Sequence, residues 1–245
     1  MKRWQLLKWV TIALILFLWE VLVRAFNIPN YILPGSFEVF GKLFRNIDVI
    51  LIHATITMSE ALIGLFLGMI LALILSIVAV HSRFFEQVIH PLIVASQTIP
   101  KVAIAPLLII WFGSGISSKI AIATIMGFFP IVINLSAGLK NIDSESIDLF
   151  RVYRASKLQV FLKARIPSAL PYFFVGLRIS VALCFIGAVV GEFVGADSGL
   201  GYLIVQADSV FDVGLEFACV VFLALMANLS LWLIFLIERK VVYWQ

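Results

Sequence analysis

Only 13% of the 245 residues are charged, so each acid or base inside an apolar run is a candidate for chemistry. Glu60 stands within one such run, Lys101 at a Pro100 break in the next, and Trp111 follows on the same run. Ionisable groups in a bilayer mark an ion or substrate path when they face a cavity, and otherwise pair or reach for the interface. Glu60 and Lys101 have opposite sign, and they either pair or line a polar path, with Trp111 as a further candidate for its wall or gate. Glu20 reads as snorkelling to an interface, and Arg178 as lying near the cytoplasmic one. His53, His81 and His90 show no HExxH and no GxSxG occurs, which argues against an intramembrane metalloenzyme or serine hydrolase. Cys184 and Cys219 lie in apolar runs with no metal-ligand spacing and read as buried filler. No GxxxxGK[ST] phosphate loop occurs: Gly113 to Lys119 has the wrong spacing, so ATP is not bound by this chain in that way. No metal or cofactor is expected, and neither is catalysis by the chain itself.

These residues are carried by membrane elements. With 62% hydrophobic residues and a need for about 20 apolar residues per crossing, the expected fold is all-α and polytopic, a single transmembrane domain over 1–245. Six spans are read at about 9–23, 55–80, 91–112, 120–139, 172–194 and 215–237. The segment after the first, with Pro29, Pro34, Gly35 and Gly41, cannot be one long helix, and the third span is broken at Pro100, Lys101 and Pro106. The first apolar run follows Lys2 and Arg3 like a secretory signal but reaches Val23 without a small-residue cleavage site, so it reads as a retained span. Gly64 to Gly68 and Gly187 to Gly191 are GxxxG spacings that permit close helix contact.

Basic residues collect on the cytoplasmic side of membrane proteins. An N-in, C-in arrangement puts Lys2, Arg3, Lys8, Arg83, Lys140, Arg151, Arg154, Lys157, Lys163, Arg165, Arg239 and Lys240 inside, and only Arg24, Lys42, Arg45 and Lys119 outside. The last outer loop then carries Glu192, Asp197, Asp208, Asp212 and Glu216 with no Lys or Arg. The net charge of +4 therefore reports orientation rather than a nucleic-acid partner. The six tryptophans fall mostly near predicted span ends, where an interfacial belt needs them.

The inside loop between spans four and five, residues 140–168, reads as folded. Asp143 can cap a helix whose first turn carries Ser144, Glu145 and Ser146, and Ile147, Phe150 and Tyr153 recur at helical spacing. Leu158, Phe161 and Leu162 do the same after a break at Ala155 and Ser156. Two short amphipathic helices of this kind can lie on lipid or insert into a groove on a partner, and composition does not choose between them.

The run RVYRASKLQVFLKARIPSALP resembles the EAA coupling loop of binding-protein-dependent ABC importer permeases. In that register Asp148 holds the acidic position, Ala155 and Ser156 complete the turn, Gln159 and Phe161 match, and Ile166 with Pro167 replaces Leu-Pro. Leu149 and Phe150 replace two alanines. Arg154 stands where the family has glycine, a residue suited to a turn with positive φ, so either the turn differs or Arg154 makes a compensating contact. PKVAIAPLLIIWFGSG, FFPIVIN, GLRIS and GADSGLGYLI extend the resemblance to the nitrate, sulfonate and taurine class. The resemblance implies a multi-pass protein of the bacterial inner membrane, working as a homodimer in lipid with a cytoplasmic ABC ATPase dimer and a soluble or lipid-anchored substrate-binding protein. It implies ATPase contacts at Asp148, Arg151, Arg154, Ala155, Ser156, Gln159, Phe161 and Pro167.

The alternative from a different class is an ion-gradient-driven secondary transporter using Glu60 and Lys101. For an importer, the expected cargo is a small organic solute. Glu60, read where many relatives have Arg, tilts the choice to a thiamine-precursor pyrimidine over an anion; sulfonate, taurine, nitrate and riboflavin are the other candidates.

Overall fold

A computed structural model describes the backbone of residues 2–82, 84, 87–88 and 90–244, and the side chains of these except 2–6, 8–9, 81, 90, 144, 147 and 151. The elements are helices: α1 (Lys2–Ala25), α2 (Ser36–Arg45), α3 (Ile47–His81), α4 (His90–Ala95), α5 (Ala105–Phe112), α6 (Ile116–Lys140), α7 (Ser144–Val152), α8 (Lys157–Val160), α9 (Ile166–Gly195), α10 (Leu200–Ser209) and α11 (Val213–Val241). No strand occurs among the described residues, as an all-α membrane chain requires. Among them four helical stretches are long and apolar enough to cross a bilayer, Ile47–Val80, Ile116–Lys140, Lys157–Gly195 and Val213–Val241. The bent pair Pro91–Thr98 and Lys101–Phe112, which meets at 87°, makes five if it is one span. Pro100 denies a helical hydrogen bond and breaks the span, and Pro106 stands in the first turn of α5, where no amide is needed, so the span divides into α4, two 3₁₀ turns and α5.

The chain divides into two compact units. One comprises Met1–Ile56 with Asp197–Leu225. Here Glu20 does not snorkel. It is buried, receives Arg24 Nε at 2.6 Å, and accepts Ser36 Oγ at 3.1 Å and the Phe37 amide at 3.3 Å. A carboxylate at the start of α2 satisfies orphan amides and favours the helix dipole. Asp212 accepts Lys42 Nζ at 2.6 Å and the Leu215 amide at 3.1 Å, so the acidic segment before α11 is an ion-pair partner and a helix cap. His53 Nδ1 accepts the Gly199 amide at 3.0 Å.

The other unit comprises Thr57–Ala196 with Met226–Gln245, and α6 is its centre. Both glycine pairs serve helix contact. A Cβ on Gly64 would stand 2.5 Å from Ala123 Cβ, and one on Gly187 would stand 2.8 Å from Ala123 Cα, so α3 and α9 approach α6 beside the same residue. Hydroxyls bind across the seams: Ser180 Oγ donates to Gly127 O at 2.5 Å, and Ser76 Oγ to Val132 O at 3.3 Å. Cys184 is buried with Sγ 3.4 Å from Ala123 O. Apolar side chains remain exposed along α3 (Phe66, Ile74) and α11 (Leu229, Trp232), as expected of helices that face lipid. Arg178 of α9 pairs with Glu238, near the end of α11, at 3.1 Å.

Candidate functional site: the loop between α6 and α9

The two helices foreseen in residues 140–168 are α7 and α8, and the chain chemistry at their junction explains the turn. α7 ends with Ala155 N donating to Phe150 O at 2.9 Å, a six-residue closure around Arg154 at φ 49°. This is the Schellman arrangement, in which a left-handed residue follows the helix and apolar groups at its two ends meet; Phe150 and Ala155 line one groove. The turn thus keeps the backbone for which glycine is suited. Arg154 adopts it at a conformational cost, with its side chain exposed.

Ser156 then starts α8 with a capping box. Its Oγ accepts the Gln159 amide at 3.3 Å, and Gln159 Oε1 accepts the Ser156 amide at 2.8 Å. The S-x-x-Q spacing carries this signal, so Gln159 is a capping residue as well as a match to the coupling-loop motif. α8 leads through a π turn, Phe161–Arg165, into α9. The wide turn falls where Pro167 offers no amide to the preceding turn.

The loop exposes Leu149, Val152, Tyr153, Leu158 and Leu162. Leu149, Phe150, Tyr153, Ala155, Gln159 and Lys163 line an open groove of about 230 Å³. Asp148 is exposed and engaged in a contact of its own; the Arg151 side chain lies outside the described residues. Phe161 faces the other way. It packs with Leu73 and Val80 of α3 and Phe173 of α9 against Leu135, Leu139 and Ala169, at the root of the loop, and Pro167 is half-buried in the first turn of α9. Apolar periodicity cannot tell a face turned to a partner from one turned to the chain's own core.

The path candidates do not come together as a pair. Lys101 Nζ lies 4.8 Å from the Phe129 ring centroid, a cation–π contact, and Trp111 is exposed on α5. Glu60 is buried beside Glu192, with which it shares a hydrogen bond, and Lys119 acts on it as a positive charge. Thr57 Oγ1 donates to Glu192 Oε1 at 2.6 Å, and Lys119 Nζ to Ser114 O at 2.9 Å. Glu192 and Lys119, assigned to outer loops from sequence, are thus buried helix residues. Their clue was the GxxxG at Gly191, whose missing Cβ would stand 2.9 Å from Lys119 Cγ.

Residues 64–243 match the family model of the binding-protein-dependent transport system inner membrane component. The chain belongs to that family. The permease is 40% identical over 238 residues to the riboflavin transport system permease RibX of Chloroflexus aurantiacus, covering 96% of this chain and 89% of the relative. It is 36% identical over 236 residues to the formylaminopyrimidine transport permease ThiX of Halalkalibacterium halodurans, covering 95% and 93%. Its fold is that of a chain in an inward-facing structure of the MetNI methionine ABC transporter, with a TM-score of 0.69 at 19% identity over 80% of this chain and 97% of that one. This permease is therefore a multi-pass protein of the bacterial inner membrane and a transport subunit of an ABC importer.

Proposed function

We propose that residues 140–168 of the permease dock a cytoplasmic ABC ATPase, whose closure on ATP drives the reorientation of the membrane helices. One observation carries this reading: a capped helix–turn–helix holds five large apolar side chains, from Leu149 to Leu162, out of its own core, and two of them, Leu149 and Tyr153, line an open groove. Apolar groups held in water by a rigid scaffold suit insertion into a partner. The loop is then cytoplasmic, with both termini inside. The working assembly is two copies of the permease, two ATPases and a substrate-binding protein on the outer face. ATP hydrolysis belongs to the partner.

The test is co-purification from membranes expressing the cognate ATPase. Val152→Glu, Tyr153→Glu and charge reversal at Asp148 or Arg151 should each lower ATPase recovery while permease yield and helicity hold. Undiminished recovery with all four would overturn the docking reading.

The cargo we favour is a flat nitrogen heterocycle, with a thiamine-precursor pyrimidine ahead of riboflavin. Support comes from the extent of similarity to two permeases named for such compounds. Glu60 no longer bears on cargo charge, since Glu192 and Lys119 share its surroundings. ATP-dependent uptake by proteoliposomes containing the binding protein tests the choice. Accumulation of taurine, an alkanesulfonate or nitrate without any heterocycle would refute it.

A further inference from the structure

α6 reaches the loop through a helix end whose last carbonyls need partners. Ala137 O accepts the Asn141 amide at 2.9 Å and Lys140 O the Ile142 amide at 3.0 Å. Leu139 O is taken instead by a side chain from the far end of the loop, Arg165 Nη1 at 3.1 Å. A guanidinium at a helix C-terminus gains both a charge-assisted hydrogen bond and the negative end of the dipole. Leu139 and Arg165 bracket the loop, and Arg165 is the last residue before α9. Two further contacts lie beyond it: Tyr172 sits where a Gly138 Cβ would be, 2.7 Å from its own Cβ, and its hydroxyl accepts Asn141 Nδ2 at 2.5 Å.

The two sides of the loop differ in how they join the membrane helices. α8 runs by helix into α9, with only the π turn between. α7 joins α6 through a non-helical segment, 141–143. Force applied to α7 and α8 therefore enters α9 along a helix, but reaches α6 only through contacts at the base.

We propose that Arg165 is a positioning residue for energy coupling: its guanidinium ties the α8–α9 side of the loop to the end of α6, so that both helices move when the docked ATPase moves the loop. This rests on the docking reading above. Neither the groove nor the exposed side chains of the loop include Arg165, so its loss leaves the docking face intact.

The experiment uses the whole importer in proteoliposomes, with ATPase and binding protein, and reads three quantities: ATPase retained, ATP hydrolysed and substrate transported. Arg165→Ala should retain ATPase and hydrolysis while transport per ATP falls roughly tenfold, the scale of coupling changes produced by residues remote from ligand. Arg165→Lys, which can still donate to Leu139 O, should restore at least half of the ratio. An unchanged ratio in Arg165→Ala would overturn the proposal, as would transport and hydrolysis falling in parallel. Should that variant fail to assemble, Arg165→Met keeps the apolar stem without the donor and decides on the same ratio. Failure of the wild-type permease to retain ATPase would instead defeat the docking reading, and the tie with it.

Discussion

Ser156 and Gln159 hold each other's backbone: the serine hydroxyl accepts the glutamine amide, and the glutamine side chain accepts the serine amide. Nothing helical immediately precedes α8, so these two bonds fix the start of the helical run that continues through the π turn into α9. Replacing Ser156 by Ala should cost about 1 kcal/mol in the loop. Amide exchange in 157–160 should accelerate and ATPase recovery should fall, while Ser156→Thr stays near wild type. Equal exchange in the alanine variant would mean that packing, not the cap, holds α8.

Arg154 occupies left-handed backbone that glycine adopts without Cβ strain. Arg154→Gly should relieve about 1 kcal/mol of local strain, offset in part by added freedom in the unfolded chain. Thermal unfolding in detergent should therefore be unchanged or slightly later, and Arg154→Val clearly earlier. Coupling should survive Arg154→Gly; loss of ATPase stimulation there would show that the guanidinium, not the turn, is what the position requires.

Gly64 and Ala123 define how closely α3 lies on α6. Gly64→Ala puts a methyl 2.5 Å from Ala123 Cβ, and overpacking of this kind costs about 1–3 kcal/mol. Adding Ala123→Gly removes the opposing methyl. The double variant should regain most of the lost thermal stability, and a strictly additive pair would argue against direct contact.

Lys119 is buried, and its charge acts on Glu60, which shares a hydrogen bond with Glu192. Lys119→Met should destabilise the permease by about 3 kcal/mol, because breaking a buried ionic group leaves its partners uncompensated. Combining it with Glu60→Gln should recover part of that loss. Unfolding temperatures of the two variants decide the matter: a Lys119→Met permease as stable as wild type would remove the ionic cluster from any structural role.

Much of this was readable from residue order. The apolar runs marked the long helices, Pro100 and Pro106 marked the broken one, and the spacing of Phe150, Tyr153 and Leu158 marked two helices in the polar loop. Sequence also identified Arg154 as the odd residue of the turn, and the backbone there explains why glycine suits it. What it missed depends on contacts distant in the chain. Glu20 caps a helix sixteen residues away, Glu60 and Glu192 meet across two helices, and Phe161 turns inward to Leu135 and Leu139. Hydropathy places a residue in a helix; it does not say which neighbour waits there.

The uninterrupted run from Lys157 to Gly195 has 39 residues, a rod of roughly 58 Å at the helical rise. A bilayer's hydrocarbon core is about 30 Å thick, so nearly half of the rod stands clear of it. Its exposed end is a long arm: a tilt of about 10° around the rod's midpoint would sweep α8 sideways by about 5 Å, given a half-length near 29 Å. On the docking reading proposed above, a partner in the aqueous phase tilts the membrane-embedded half through the same angle without entering lipid.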